Sequence, residues 1–189
     1  MFTVEERKVL RESPPFDNRN VADEFKHLTT EEIRQEMIKR SLPFVAICQN
    51  LVSDFNISQI VRSMNAFALG TVNICGRRQW DKRGAVGTYH YIDVQQHSDI
   101  NEVIEYYRSL DYRIVAAETG ESAHSLPFYQ WNYKTAVVFG EEGLGIIPET
   151  LNLVDDIVEI PQYGTVRSFN VAGAAQMMMY DYTIKVRKC

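Results

Sequence analysis

Apolar residues along this chain follow two spacings. Short unbroken runs read as strands buried on both faces: Pro43-Phe-Val-Ala-Ile-Cys48, Thr71-Val-Asn-Ile-Cys75, Tyr112-Arg-Ile-Val-Ala-Ala117, Thr135-Ala-Val-Val-Phe139 and Asp156-Ile-Val-Glu-Ile-Pro161. Tyr91-Ile-Asp-Val94 predicts a further short strand. Between these runs the apolar positions recur at helical spacing. Ser58 to Leu69 predicts an amphipathic helix with Ile60, Val61, Met64, Phe67 and Ala68 inward and Gly70 as its stop. Ser98 or Asp99 caps a helix to about Leu110, and Ser168 opens a last helix, rich in small residues, that runs to Tyr180. Residues 21–40 also read as helical. Thr29 or Thr30 caps the second half, Glu31 and Glu32 lie near its N-terminus, and Ile33, Met37 and Ile38 form its apolar face. Residues 1–20, with Pro14-Pro15 and few periodic apolar positions, read as an extended lead.

Strands and helices thus alternate to the end of the chain, which predicts an α/β fold with a mostly parallel sheet covered on both faces. The simplest division is an N-terminal, partly helical extension over residues 1–40 and one domain over residues 41–189. In open sheets of this kind ligands bind outside the carboxyl ends of the strands. The loops there carry Asn56 and Arg62, Glu118-Thr119, Glu142, and Ser168 with Asn170.

Composition changes the picture little: 45% hydrophobic and 24% charged residues are ordinary for a globular chain. No apolar run approaches the roughly 18 residues of a membrane span. The start, Met1-Phe-Thr-Val-Glu-Glu-Arg-Lys, has neither an apolar core nor a signal-peptide cleavage pattern. Cys48, Cys75 and Cys189 show no CxxC spacing, as expected of reduced thiols in a cytoplasmic protein. The net charge of -5 argues against wholesale nucleic-acid binding. Local basic clusters nevertheless occur at Arg77, Arg78, Lys82 and Arg83, and at Lys185, Arg187 and Lys188. Each reads equally as a phosphate-holding patch or as a solvated loop.

Several chemistries are excluded by spacing. Gly140-Glu-Glu-Gly-Leu-Gly145 is neither the dinucleotide GxGxxG nor a Walker loop. His27, His90, His97 and His124 have no metal-ligand spacing, and no Gly-x-Ser-x-Gly elbow is present. Gly140 and its neighbours do permit close approach of a ligand to bare backbone. Arg62 lies inside a largely apolar helix, where a charge usually has a partner, and Glu142 is a candidate for a purely structural pair with it. Asn56 and Ser168 are equally natural helix caps.

Three stretches together resemble the motifs of the SpoU (TrmH-like) family of SPOUT RNA methyltransferases. They are Asn56-Ile-Ser-Gln-Ile-Val-Arg62 through Gly70, Val138-Phe-Gly-Glu-Glu142-Gly-Leu-Gly145, and Ile160-Pro-Gln-Tyr-Gly-Thr-Val-Arg-Ser168-Phe-Asn170 through Ala175. The resemblance covers roughly residues 43–182. It implies a C-terminal deep trefoil knot, a homodimer, and S-adenosylmethionine (SAM) held largely by backbone at Gly140, Ile160 and Phe169. It also implies a catalytic surface of Asn56, Arg62, Glu142, Ser168 and Asn170, and methyl transfer to a ribose 2′-hydroxyl of a structured tRNA or rRNA, with no metal. Three positions depart from the usual pattern: Glu141 precedes the motif-two glutamate, Phe169 replaces a common Leu, and Ser58 a common Gly. A guanidinium stays protonated in proteins, so Arg62 is better suited to clamp phosphate and steady oxyanion charge than to act as a base. On this reading Glu142 holds Arg62. A non-catalytic RNA-binding module and a small-molecule α/β enzyme are the rival readings.

Overall fold

The structure, a computed structural model, describes residues 19–187 except 50, 52, 77 and 78. Most of the predicted lead, Arg77 and Arg78 of the basic loop, Lys188, and Cys189 lie outside the described residues.

Among the described residues seven strands form one sheet: β1 (Phe44–Gln49), β2 (Val72–Cys75), β3 (Val94–His97), β4 (Arg113–Ala117), β5 (His124–Ser125), β6 (Thr135–Phe139) and β7 (Asp156–Glu159). Their order is β3-β2-β1-β6-β4-β7-β5, and every pairing is parallel. The central strands β1 and β6 are buried at every position, as their unbroken apolar runs require. Register pairs Cys48 with Phe139 and Ala117 with Phe139. The loops leaving β1, β4 and β6 therefore start side by side.

Among the described residues five α-helices accompany the sheet: α1 (Thr30–Arg40), α2 (Asp54–Ala66), α3 (Ile100–Ser109), α4 (Pro148–Leu151) and α5 (Val171–Val186). Alternate residues of each strand face opposite clusters. Phe44, Ala46, Val137 and Phe139 pack with Ile57, Ile60 and Met64 of α2 and with Ala175, Met178, Met179 and Tyr182 of α5. Val45, Ile47, Ala136 and Val138 pack with Ile100, Val103, Ile104 and Tyr107 of α3 on the other face. Both faces are thus covered.

Local chemistry sets the ends of these elements. Thr29 caps α1 in a full capping box with Glu32, its hydroxyl accepting from the Glu32 amide. Asp99 caps α3. Of the predicted apolar face of α1, Ile33 is buried but Ile38 points to solvent. The third strand falls at Val94–His97 instead of Tyr91–Val94, because Tyr91 closes the 3-10 turn Thr88–His90 and pairing with β2 begins only at Val94. α2 starts and ends earlier than its apolar spacing predicts. Ala68, at φ 49, takes the left-handed turn beyond it. Gly70 serves a different end: a Cβ there would lie 2.9 Å from the Phe44 carbonyl oxygen, so it lets the chain pass close to β1.

Candidate functional site

Between β1 and β6 the connectivity reverses, since β2 and β3 build outward on one side while β4, β6 and β7 lie on the other. This switch point is where parallel α/β sheets leave a crevice. Asn56, in the first turn of α2, is 6% exposed. It is not a cap, because Ser53 precedes the helix. Its side-chain Nδ2 donates to Glu142 Oε1, and its Oδ1 accepts from Asn170 Nδ2 at 3.0 Å. Asn170 in turn caps α5, its Oδ1 accepting from the amides of Ala172 at 3.1 Å and Gly173 at 3.3 Å. One hydrogen-bonded line thus joins the loop after β6, the start of α2 and the start of α5.

Ser168 is therefore not the cap of the last helix. It lies in the exposed segment before it, where residues 163–170 are all exposed, Phe169 among them. Ile160 is half-buried against the core at the end of β7. Beside it, Gln162 donates through Nε2 to the Arg167 carbonyl at 3.4 Å while its Oε1 is buried without a partner. Nothing in the sequence marks Gln162 as a member of the site; a glutamine in a loop carries no such signal.

Arg62 behaves differently from expectation. It sits on the solvent face of α2 with Phe55 and Ala66, and among the described residues no ion pair or hydrogen bond joins it to Glu142. The reason is helical phase: Asn56 turns toward the sheet end, whereas Arg62 lies on the outer face. Glu142 is engaged by Asn56 instead.

The glycine loop is closed on itself. Glu141 and Gly145 exchange backbone hydrogen bonds of 3.1 and 2.9 Å. A Cβ on Gly140 would lie 2.3 Å from the Gly145 carbonyl carbon, so Gly140 is required by the loop's own return. Glu118, at the end of β4, braces that loop by accepting from the Ile146 amide at 3.2 Å. Ser58 is buried, and its hydroxyl donates to the Asp81 carbonyl oxygen. Gly84 stands opposite, where a Cβ would meet that of Ser58 at 2.7 Å, so the side chain at 58 is accommodated.

Both described cysteines are buried. Burial above all, then Cys75 and Glu142, pushes the Cys48 thiol up, and burial followed by Asp99 raises Cys75 to about 12. Of the C-terminal cations, Lys185 is held within the fold. Lys185 donates to the carbonyls of Leu126, Pro127 and Tyr129 and pairs with Asp181 at 2.8 Å.

A closed glycine loop and a hydrogen-bonded line of side chains at the carboxyl ends of parallel strands mark the switch point of this α/β protein. Residues 43–180 match the SpoU rRNA Methylase family, and the chain belongs to it. A tRNA (guanosine(18)-2′-O)-methyltransferase of Thermus thermophilus is 26% identical over 151 residues, 78% of this chain and 78% of that one. The fold is shared with the TrmH/SpoU tRNA modifying enzyme of Aquifex aeolicus, at a TM-score of 0.76 and 19% identity over 84% of this chain and 83% of the other. It is also shared with the SpoU methyltransferase AviRb of Streptomyces viridochromogenes in complex with AdoMet, at a TM-score of 0.71 and 19% identity over 79% and 62%.

Proposed function

We propose that this protein transfers a methyl group from SAM to a ribose 2′-hydroxyl of tRNA or rRNA. The observation that carries the reading is the Glu142–Asn56–Asn170 line, which ties the three family motifs together at the switch point.

The residues fit SAM. The buried, unpartnered Gln162 Oε1 near Ile160 offers an acceptor to an amino group, and Phe169 and Ile160 offer apolar surface in the same segment. Bound there, SAM supplies an electrophilic methyl carbon on a sulfonium. What the protein adds is mostly position, since an in-line approach of the ribose oxygen is the chief requirement. Asn56, Glu142 and Asn170 fix the floor of the site, and Ser168 orients the ribose from the exposed loop. Arg62, exposed and cationic, clamps an RNA phosphate and steadies charge developing on the oxygen.

The division into an extension over 1–40 and a domain over 41–189 belongs to the same reading, as does the knot. β6 inserts between β1 and β4, β7 between β4 and β5, and α5 returns against α2, a path that supports a threaded C-terminal segment. A second copy would cover the exposed apolar side chains Phe55 and Tyr180 on the α2–α5 side. No helix among the described residues is long and apolar enough to cross a membrane, and we assign the protein to the cytoplasm.

Incubation with labelled SAM and bulk tRNA or rRNA, followed by digestion and mass spectrometry, tests the proposal. A 2′-O-methylated nucleoside is the expected product. Folded protein that binds RNA but not SAM would instead be a binding module, and SAM binding without RNA affinity would indicate a small-molecule enzyme.

A further inference from the structure

Away from the methyl-transfer site, an open groove of about 620 Å3 runs between α1 and the segment over residues 79–96. That lies within the roughly 300–1,000 Å3 usual for small-ligand sites. Ile92 and Val94 contribute apolar lining, and Trp80 and Tyr89 contribute aromatic lining. Trp80 meets Tyr89 edge to face at 6.1 Å, and the Lys82 ammonium lies 5.1 Å from the Tyr89 ring centre. Arg34 of α1 also lines the groove. Its guanidinium is 3.8 Å from the Asp93 carboxylate, the outer limit of an ion pair, and is 43% exposed, so Asp93 offsets it only partly. Among the described residues no carboxylate pairs with Lys82. The exposed amides of Gln79 and Gln96 complete the lining.

We propose that this groove is a subsite for one unpaired nucleotide of the RNA substrate, a proposal that rests on the RNA methyltransferase reading above. The base stacks on Trp80, Lys82 and Arg34 hold its flanking phosphates, and Gln79 and Gln96, each both donor and acceptor, meet the base edge. Sequence-specific RNA recognition works largely on unstacked bases held against aromatic faces beside cations. A free-standing small-molecule pocket would enclose its ligand; this one is open along an edge strand, as a polymer requires.

The groove is also tied mechanically to the catalytic end. Ser58, just past Asn56 on α2, binds the Asp81 carbonyl and packs against Gly84. The segment carrying Trp80 and Lys82 is therefore fixed to the same helix turns that hold Asn56. A nucleotide in the groove would set the register of the strand whose ribose reaches the methyl donor.

The test compares wild type with Trp80→Ala, Trp80→Phe and Lys82→Gln, using bulk tRNA as methyl acceptor and octauridylate and UMP as binding probes. Octauridylate should quench the fluorescence of Trp80 in wild type but leave only the Trp131 signal, unquenched, in Trp80→Phe. Trp80→Ala should raise the KM for tRNA about 10-fold or more, with SAM affinity unchanged, and Trp80→Phe should recover most of that loss. Lys82→Gln should reduce the slope of log affinity against log salt by about 1.

Trp80 packs partly on the core, so Trp80→Ala can unfold; the surface variant Lys82→Gln then carries the decision through its salt slope. A tRNA KM unchanged in both Trp80→Ala and Lys82→Gln, with methyl transfer intact, would overturn the subsite alone. Equal affinity for UMP and octauridylate would overturn it in favour of a free-nucleotide site. Absence of any methyl transfer to RNA by wild type would overturn the functional reading and the subsite with it.

Discussion

The side-chain amide of Asn170 donates to Oδ1 of Asn56 at 3.0 Å, and that single bond fixes the polarity of the whole site. Asn170 Oδ1 already accepts two helix amides, so only its Nδ2 can face Asn56. Asn56 must then present Oδ1 to Asn170 and Nδ2 to Glu142. The amide orientations follow from the helix start and end on a carboxylate acceptor.

Asn170→Asp tests that polarity. An aspartate keeps the cap and suits a helix N-terminus, but it has no donor for Asn56. If Asn56 flips to compensate, its oxygen faces Glu142. Either way the buried Asn56 loses one polar contact, which should cost about 1–3 kcal/mol in urea denaturation despite the intact cap. Single-turnover methyl transfer should fall about 10²-fold. Wild-type rates in this variant would show that the line is only structural.

Glu142 and Arg62 should separate as mutants, although a shared ion pair would make them alike. Glu142→Ala removes the acceptor of Asn56 and should resemble Asn56→Ala, losing both stability and turnover. Arg62→Ala alters an exposed side chain, so stability should stay within about 0.5 kcal/mol of wild type. Its turnover should still fall about 10²-fold if the guanidinium clamps phosphate, with SAM affinity retained. Arg62→Lys should fall less than Arg62→Ala but remain impaired, having lost the bidentate fork. Near-normal rates for Arg62→Ala would remove it from the catalytic list.

What the sequence made legible follows from what each signal measures. Continuous burial requires continuous apolar runs, so β1 and β6 stand where Pro43–Cys48 and Thr135–Phe139 place them. Edge strands lack that requirement: β3 is Val-Gln-Gln-His, and β5 is two residues long, so neither has an apolar signature. Asn56 and Asn170 were visible as polar residues at strand ends, yet their mutual bond spans 114 positions and has no local trace. The expected Arg62–Glu142 pair failed because residue type says nothing of the helical phase that turned Arg62 outward.

Gly140→Ala should weaken SAM binding at least about 10-fold, the equivalent of about 1.4 kcal/mol. The new methyl would overlap the Gly145–Ile146 backbone and force the loop open. Gly164→Ala is the matched control, since nothing lies within 4 Å of a Cβ there. Titration calorimetry on both variants decides the matter. Equal affinities would mean the loop opens without touching the cofactor.

At the opposite end of the sheet, Asp156 accepts from Arg113 at 2.8 and 2.9 Å and from the Tyr129 hydroxyl at 2.7 Å. The Arg113 hydrogen bonds, chiefly, hold its carboxyl below the usual range. A depressed folded-state pKa stabilises the fold above the unfolded-state value and ceases to do so as the pH falls through the folded one. Asp156→Asn should therefore cost about 1.5–3 kcal/mol at pH 7, and its deficit should shrink below about pH 4. Urea titrations across that range measure both. A deficit independent of pH would assign the loss to packing instead of charge.

The last prediction concerns assembly. The Met177-Met-Met-Tyr180 run suggests a helix with apolar faces to spare, but Met178 and Met179 are buried within the chain, as is Tyr182. What stays outside is Tyr180, 55% exposed and 6.2 Å from the Phe67 ring, with Phe55 on α2 63% exposed. Aromatic side chains left on two packed helices favour burial against a second copy. Sedimentation equilibrium at micromolar concentration should give twice the chain mass of 21.8 kDa, and Tyr180→Asp should shift the population toward monomer. If wild type runs as a single species of 21.8 kDa, the dimer is refuted. Phe55, Arg62 and Tyr180 would then form an open face, and Arg62 would have to meet its RNA phosphate without help from a neighbouring subunit.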